Sequence, residues 1–180
     1  MKPRTIIIAA AFLTLFLSSC SDSRVKRANE WYEGTKAEIL KQSDLIADST
    51  RYELNKDNSF RREYKYCKGH LFLVLGYSID SISFKKRLEI HFSKDGDFEL
   101  RREICANGTY LFEGVFYKDH AYGLSTWRHC NTGQLDDQGI RFKGQTIDIW
   151  KWWDENGKLI RVSDGKNLDK LDSLPELKHE

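Results

Sequence analysis

The sequence predicts a mainly β protein, an antiparallel up-and-down meander of repeated hairpins preceded by one helix. Two observations predict it. Glycines next to aspartate, asparagine or lysine mark turns roughly every 12 residues from Gly96 onward, as tight turns with positive φ require. The segments between them, such as 87–93 and 114–118, are rich in aromatic and β-branched residues. We expect about eight to ten strands in an open sheet, with a closed or curled β-barrel as the alternative.

The first 19 residues have the features of a secretory signal peptide. Two basic residues, Lys2 and Arg4, precede an apolar run from Ile6 to Leu17. This run of about 12 residues is well short of the roughly 20 that a membrane-spanning helix needs. The sequence therefore predicts a signal peptide at residues 1–19 and no permanent transmembrane helix in this segment.

The end of this signal, LSSC at residues 17–20, resembles the lipobox of bacterial lipoproteins. In such proteins the cysteine receives a diacylglycerol, and its amine is acylated after cleavage. Each buried methylene contributes about 0.8 kcal/mol, so two or three acyl chains hold a protein firmly in a membrane. The resemblance implies a lipid anchor at Cys20 in the cell envelope, and Ser21 favours the outer membrane where a bacterium has two. An ordinary cleaved signal with an incidental Cys20 is the alternative.

The charge balance argues against nucleic acid as a partner. Removing residues 1–19 takes away Lys2 and Arg4 from the 29 basic residues, which leaves 27 against 27 acidic ones. Phosphate binding needs a basic surplus gathered on one face. The short basic run at residues 24–30 is interpreted as a solvated tether, with contact to lipid head groups as the alternative.

The chain is predicted to divide into a signal peptide (1–19), a tether with the N-terminal helix (20–57), the β-meander (58–163) and a C-terminal tail (164–180). In the second segment Ile39, Leu40, Leu45 and Ile46 stand at spacings that one helix face can use. In the tail a leucine recurs at every third residue from Leu168, which predicts either a short docking helix or a loose end.

Alternation supports the strand assignment at residues 88–93. Three apolar side chains fall on one face of this segment and three polar ones on the other, as a half-buried strand requires. We therefore expect the apolar set to face the core.

The sequence contains two similar copies of one hairpin. The segment 123–135, GLSTWRHCNTGQL, is followed 25 residues later by 148–159, DIWKWWDENGKL, so that Trp127 matches Trp152. A single hairpin cannot bury its apolar face, and copies stack until a continuous core forms. The duplication therefore predicts stacked hairpins.

The pattern G-x-x-x-W from Gly123, followed by N-x-G-x-L from Asn131 and G-x-x-x-x-G from Gly139, resembles the variant MORN repeat of the YwqK-type antitoxin family. The resemblance extends over about residues 90–160. It implies a sheet of stacked hairpins that binds another protein, and it allows an immunity role against a toxin.

No catalytic site is predicted. The sequence contains no nucleophile elbow, no P-loop, no H-E-x-x-H and no glycine-rich dinucleotide motif. We expect a protein that is not an enzyme and uses no cofactor or metal. Cys67 and His70, with His129 and Cys130, form an alternative set of zinc ligands, but structural thiols are favoured.

The cysteines constrain the expected register. Cys105 and Cys130 each stand three residues before a matching turn glycine, so stacked hairpins would place them two strands apart, about 9.5 Å. A disulfide needs Cα atoms within about 7 Å. We expect no disulfide between these two residues, so that any disulfide would involve Cys67.

Four tryptophans are the candidate binding surface: Trp127, Trp150, Trp152 and Trp153. Large aromatic residues in a repeat are usually core, but exposed ones would form a platform for a partner's apolar patch or a sugar ring. We favour a lipid-anchored protein-interaction module. The alternative is a lipoprotein that binds a glycan or an envelope polymer, and exposure of Trp127 and Trp152 would favour it.

Overall fold

The computed structural model describes residues 23–80, 83–147, 150–163 and 168–176. Its helices are α1 (Ser23–Leu40), a 3-10 turn (Lys41–Asp44) and a C-terminal 3-10 helix (Leu168–Ser173). Its strands are β1 (Ser49–Leu54), β2 (Phe60–Cys67), β3 (His70–Ile79), β4 (Phe84–Phe92), β5 (Phe98–Ile104), β6 (Tyr110–Tyr117), β7 (His120–Arg128), β8 (Leu135–Phe142), β9 (Gln145–Thr146), β10 (Trp150–Trp153) and β11 (Leu159–Ser163).

The eleven strands form one antiparallel sheet in the order of the chain. Each strand from β1 to β8 pairs with the next, β10 pairs with β8 and β11, and the two-residue β9 pairs with β8 at the side. Strands β1 and β11 are the edges, so the sheet is open. The predicted meander of hairpins with one N-terminal helix is confirmed. The sheet begins at Ser49, ahead of the expected boundary at residue 58.

The turns between strands lie where the glycine signals predicted them. Gly108 and Gly133 have φ values of 89° and 74°, a region that strains any residue with a Cβ. In each turn the glycine N–H donates to the carbonyl of the first turn residue, Cys105 or His129. Glycine at these positions therefore fixes where each hairpin reverses.

Helix α1 occupies a different stretch from the one expected. It starts at Ser23, so the basic run interpreted as a tether is helical, and it ends at Leu40. Leu45 and Ile46 are not on it and are 39% and 87% exposed. The Ser43 hydroxyl donates to the carbonyl of Leu40 (2.5 Å), and the chain then turns to begin β1.

A first apolar cluster packs α1 onto the centre of one sheet face, which we call the helix face. It joins Tyr32 and Ile39 of the helix to Phe98, Leu100 and Val115 of β5 and β6, each at most 1% exposed. The core of the protein therefore lies between α1 and the central strands.

A second cluster brings the C-terminal tail onto the same face. Ala28 of α1 packs with Ile140, Ile147 and with Leu171 of the C-terminal 3-10 helix. Within the described residues the tail is thus a docked helix, one of the two alternatives predicted. No helix in the described ranges is long and apolar enough to cross a membrane.

Strand β4 contradicts the expected orientation of its two faces. Glu89, His91 and Ser93 are only 9%, 4% and 5% exposed on the helix face, whereas the apolar residues at 88, 90 and 92 are partly exposed on the opposite one. The bond between Glu89 and His91 Nε2 (2.5 Å) and the nearby Arg102 (3.8 Å) offset part of the cost of this burial, while His91 Nδ1 has no partner within the described residues.

The polar cluster continues through Glu113 of β6 to the helix. The Glu113 carboxylate accepts hydrogen bonds from Tyr32 (3.0 Å), Lys36 (2.6 Å) and Arg102 (2.8 Å). Burial raises the pKa of Glu113, but the bonds from Lys36 and Arg102 outweigh it and the net shift is downward. The hydrogen bond from His91 is the main cause that lowers the pKa of Glu89 to about 2. These charges therefore hold the helix on the sheet.

Candidate binding site on the open face of the sheet

The candidate site lies on the face opposite α1, which we call the open face. Because Val115 packs beneath the helix, its neighbours Gly114 and Phe116 point to the other side of β6. The strand register then places Arg101, Gly114, Ser125 and Gly139 in one row across β5 to β8. This row is the floor of the open face.

Two glycines of this floor lie under aromatic rings. A Cβ on Gly114 would come within 2.7 Å of Cζ of Phe112, and a Cβ on Gly139 would overlap the indole of Trp150. Because glycine has no side chain, these rings can pack directly against the sheet. The arrangement recurs near the first edge, where a Cβ on Gly76 would meet Phe60 Cζ at 2.6 Å.

The rings form a continuous aromatic row, defined here as Phe116, Phe112, Trp127, Trp150 and Trp152. Successive ring centroids are 6.1, 4.5, 5.7 and 6.4 Å apart. Trp150 is buried at 5% exposure, whereas Trp127 and Trp152 are partly buried. The row therefore contains both a buried ring and partly exposed rings. The tryptophans are neither all core residues nor a fully exposed platform, the two outcomes considered for them.

The fourth predicted tryptophan does not join the row. Strand β10 is irregular between Trp152 and Trp153, so the alternation of faces breaks there. The carbonyl of Trp153 accepts a hydrogen bond from His129 Nε2 (3.1 Å) in the turn before β8. Trp153 thus connects β10 to a neighbouring turn.

Three arginines that the sequence reasoning missed stack on the aromatic row. Arg101 lies 4.2 Å from the Phe116 ring, and Arg161 lies 4.5 Å from Trp152. Arg141 lies 5.1 Å from both Trp127 and Trp150. Contacts of this kind attract the cation to the ring face. The sequence did contain a signal for Arg141. It stands two residues after Gly139 in β8, and residues two apart in a strand lie on the same face.

The guanidinium groups of Arg101 and Arg141 differ in their partners. Arg101 is paired with Glu99 (2.6 Å) and Asp119 (2.7 Å). Arg141 Nη1 donates to the Gly144 carbonyl (3.0 Å), but its buried Nε has no hydrogen-bond partner in the described residues. Burial lowers the pKa of Arg141, with Asp137 acting in the opposite sense. Arg141 is thus partly desolvated and incompletely paired.

A cavity of about 280 Å³ opens beside Arg141. Its walls include two aromatic rings of the open face, Phe112 and Trp127, together with the cation Arg141. Two carboxylates, Glu103 and Asp119, also line it. Asp119 is engaged by Arg101, whereas Glu103 makes no salt bridge within the part of the chain that is described. The cavity therefore combines an apolar floor with charges of both signs.

At one end of the sheet Cys105 and Cys130 form a disulfide, with Cα atoms 5.6 Å apart. The prediction that these two residues cannot bond is wrong. Both lie beyond the ends of their strands, where the spacing of the ladder no longer applies. Asn107 Nδ2 also donates to the carbonyl of Cys130 (2.5 Å), so the two turns touch.

The error in register comes from one extra residue. The Cys105 N–H donates to Thr109, four residues on, whereas the His129 N–H donates to Gln134, five residues on. Cys105 therefore corresponds to His129, and Cys130 is displaced out of the ladder toward the neighbouring turn.

The alternative set of zinc ligands is not assembled. Cys130 is in the disulfide and cannot supply a thiolate, while Cys67 is a free thiol next to the β2–β3 turn. Within residues 23–80, 83–147, 150–163 and 168–176 no group of three or more His, Cys, Asp or Glu side chains could hold a metal ion. The predicted signal peptide, Cys20 and Ser21 lie outside the described residues.

No protein-family model matches the chain, and no curated protein matches it. Among solved structures, the crystal structure of TarM is similar at 11% identity and a TM-score of 0.32. The match covers 83% of this chain and 27% of the TarM chain, so this chain spans about a quarter of that length. A likeness this distant carries no argument about function.

Proposed function

We propose that this protein is a lipid-anchored, non-catalytic interaction module of the cell envelope whose open face binds another protein. One observation carries the proposal, the difference between the two faces of the sheet. Helix α1 packs on one face, and the aromatic row with its arginines occupies the other, where no described helix packs. Aromatic residues and arginine are the side chains that dominate binding energy at protein interfaces.

The disulfide supports placement outside the cytoplasm. Disulfides such as Cys105–Cys130 persist in oxidising compartments and are rare where thiols are kept reduced. This agrees with export by the signal at residues 1–19 and acylation of Cys20, and Ser21 favours the outer membrane where a bacterium has two.

The placement of buried charge supports a binding role without turnover. On the helix face, away from the cavity of the open face, Glu89 bonds to His91, and Glu113 accepts hydrogen bonds from Arg102 and from Tyr32 of α1. The lowered pKa values of Glu89 and Glu113 thus have a structural explanation. The repeat resemblance adds a specific form of the proposal, an immunity or antitoxin-like protein whose partner is a toxin.

The test is capture of a partner from envelope extract by the full mature chain in detergent, followed by titration with the purified partner. Trp152→Ala removes a partly buried ring of the row and should weaken binding by about 2 kcal/mol or more. Tyr52→Ala is the matched control, because Tyr52 is an exposed ring (57%) on the opposite edge strand. Equal affinity of both variants would contradict the proposal.

Trp150 is not suitable for this experiment because it is buried. Trp150→Ala should lower the free energy of unfolding by roughly 3 to 5 kcal/mol and reduce binding through unfolding alone.

A second candidate function is binding of a glycan or envelope polymer. The partial exposure of Trp127 and Trp152 in one row favours it, since sugar rings stack on such platforms. A glycan array probed with the same mature protein separates the two. Retention of defined polysaccharides without any protein partner would favour this second function.

A further inference from the structure

We propose that the cavity beside Arg141 is a carboxylate-binding site that takes the side chain of a glutamate or aspartate from the partner protein. The identity of the partner rests on the proposed function. The chemistry of the site is tested separately, on the purified chain.

The unsatisfied donor of Arg141 is the first step. Within the described residues its guanidinium donates from Nη1 to the Gly144 carbonyl (3.0 Å), and the buried Nε has no acceptor. A buried donor without a partner is costly, and native structures rarely leave one. The Arg141 guanidinium therefore keeps a donor that no described residue satisfies.

The arrangement of the remaining donors of the Arg141 guanidinium indicates which acceptor fits. With Nη1 engaged, the Nε and Nη2 donors point in parallel, which matches the two oxygens of a planar carboxylate. Arg141 lines a cavity of about 280 Å³, which has room for one side chain. A carboxylate on a short apolar stem fits both the fork and the aromatic floor.

The aromatic row holds the guanidinium in place. The rings of Trp127 and Trp150 lie 5.1 Å from its central carbon, and Phe112 packs against Trp127 at 4.5 Å. A cation held against two adjacent indoles loses little conformational entropy on binding, and low local polarity strengthens its charge-assisted bonds. Arg141 is therefore pre-organised for an anion.

Arg141 is a cation of the cavity wall that forms no salt bridge within the described residues. Asp119 is bonded to Arg101 (2.7 Å), and Asp137 accepts a bond from Trp150 Nε1 (3.1 Å) without forming an ion pair with Arg141. Glu103 is exposed, has no salt bridge in the described residues and opposes an incoming carboxylate. Removing its charge should therefore strengthen binding of an acid.

The experiment titrates the purified mature chain with N-acetyl-glutamate N-methylamide, a blocked glutamate whose only charge is the side-chain carboxylate. The blocked glutamine is the neutral control, and inorganic phosphate is the competing anion. Indole N–H signals of Trp127 and Trp150 in NMR spectra report on the site. We expect saturable shifts with the blocked glutamate and none with the blocked glutamine.

Three variants make the test specific. Arg141→Lys keeps the charge without the fork and should weaken binding at least about tenfold. Arg51→Lys changes an arginine of edge strand β1, which stacks on Tyr64 (4.7 Å) and does not line the cavity, and should leave affinity unchanged. Glu103→Gln should tighten binding about two- to fivefold by removing like-charge repulsion, and it remains decisive if Arg141→Lys does not fold.

Equal binding of both blocked amino acids, unchanged affinity in folded Arg141→Lys, weaker binding in Glu103→Gln, or tighter binding of phosphate would each overturn the site. The two proposals fail independently. A partner that binds Arg141→Lys as it binds wild type removes the carboxylate site alone. Specific binding of the blocked glutamate with no protein partner removes the proposed function alone.

Discussion

Cys105 and Cys130 tie together two hairpin turns that belong to different hairpins but lie at the same end of the sheet. The stacking continues to the next hairpin, where a Cβ on Gly157 would come within 2.6 Å of the Gln134 amide. The covalent link therefore lies inside a run of packed turns and joins strands that are not direct neighbours.

Loss of this link should be measurable as stability. The disulfide closes a sequence separation of 25 residues, so replacing both cysteines by serine should lower the free energy of unfolding by about 3 to 4 kcal/mol. Urea denaturation of wild type and variant measures the difference. Cys67→Ser is the control and should change little. Identical unfolding midpoints of oxidised and reduced wild-type protein would contradict the disulfide.

Gly139→Ala should disturb the open face. An added Cβ would overlap the Trp150 indole, so we expect a loss of about 1 to 3 kcal/mol and a shift in tryptophan fluorescence. Gly34→Ala is the same substitution at an exposed position of α1 with nothing within 4 Å. It should instead stabilise the helix by about 0.5 to 1 kcal/mol. Effects of the same sign at both glycines would count against this packing.

Acid should loosen α1 from the sheet. The folded-state pKa of Glu89 is about 2 and that of Glu113 is also lowered from its usual value of 4.5. A carboxyl whose folded pKa is depressed stabilises the fold above the unfolded pKa and loses that contribution as the pH falls through the folded value. Stability should therefore decline from about pH 4.5 toward pH 2.

The slope of stability against pH measures this contribution. Glu113→Gln should flatten the slope between pH 4.5 and 2, whereas Glu103→Gln, which removes a carboxyl without a salt bridge in the described residues, should not. Chemical denaturation at several pH values gives both slopes. A wild-type protein equally stable at pH 2.5 and pH 5 would contradict the role of these ion pairs.

Cys20→Ala should abolish incorporation of radiolabelled palmitate and leave an uncleaved or misprocessed precursor. The reason is that the cysteine thiol is the acceptor of the lipid in the lipobox reading of residues 17–20. Labelled cells, immunoprecipitation and gel mobility provide the measurement, with Cys67→Ser as the thiol control. Unchanged labelling of the Cys20 variant would show that the anchor lies elsewhere.

The fold could be predicted from sequence because its signals are local. Glycines such as Gly108 determine a turn from the backbone conformation alone, and short aromatic segments between such turns have few alternatives to strands. Burial of Glu89 and His91 was not predictable from alternation within β4. It depends on Arg102 and on the helix, which arrive from other parts of the chain.

The candidate site was predictable only in part. The repeat indicated Trp127 and Trp152, because a duplicated hairpin repeats its large side chains at equivalent positions. The pairing of Arg141 with two indoles depends on three different strands, which no single window of sequence contains. The disulfide depends on one extra residue in one turn, and a comparison of turn glycines cannot detect that.

The glycines under the rings have a consequence for how this surface can change. At Gly76, Gly114 and Gly139 no side chain can be added without displacing a ring, so the contour of the open face is set by atoms that are missing. A charge that borders it, Glu103, comes from an exposed side chain that can be exchanged without altering that contour. The shape of the surface and its charge are thus determined by different residues. A descendant of this chain could acquire a different partner by exchanging ionic groups over an unchanged scaffold.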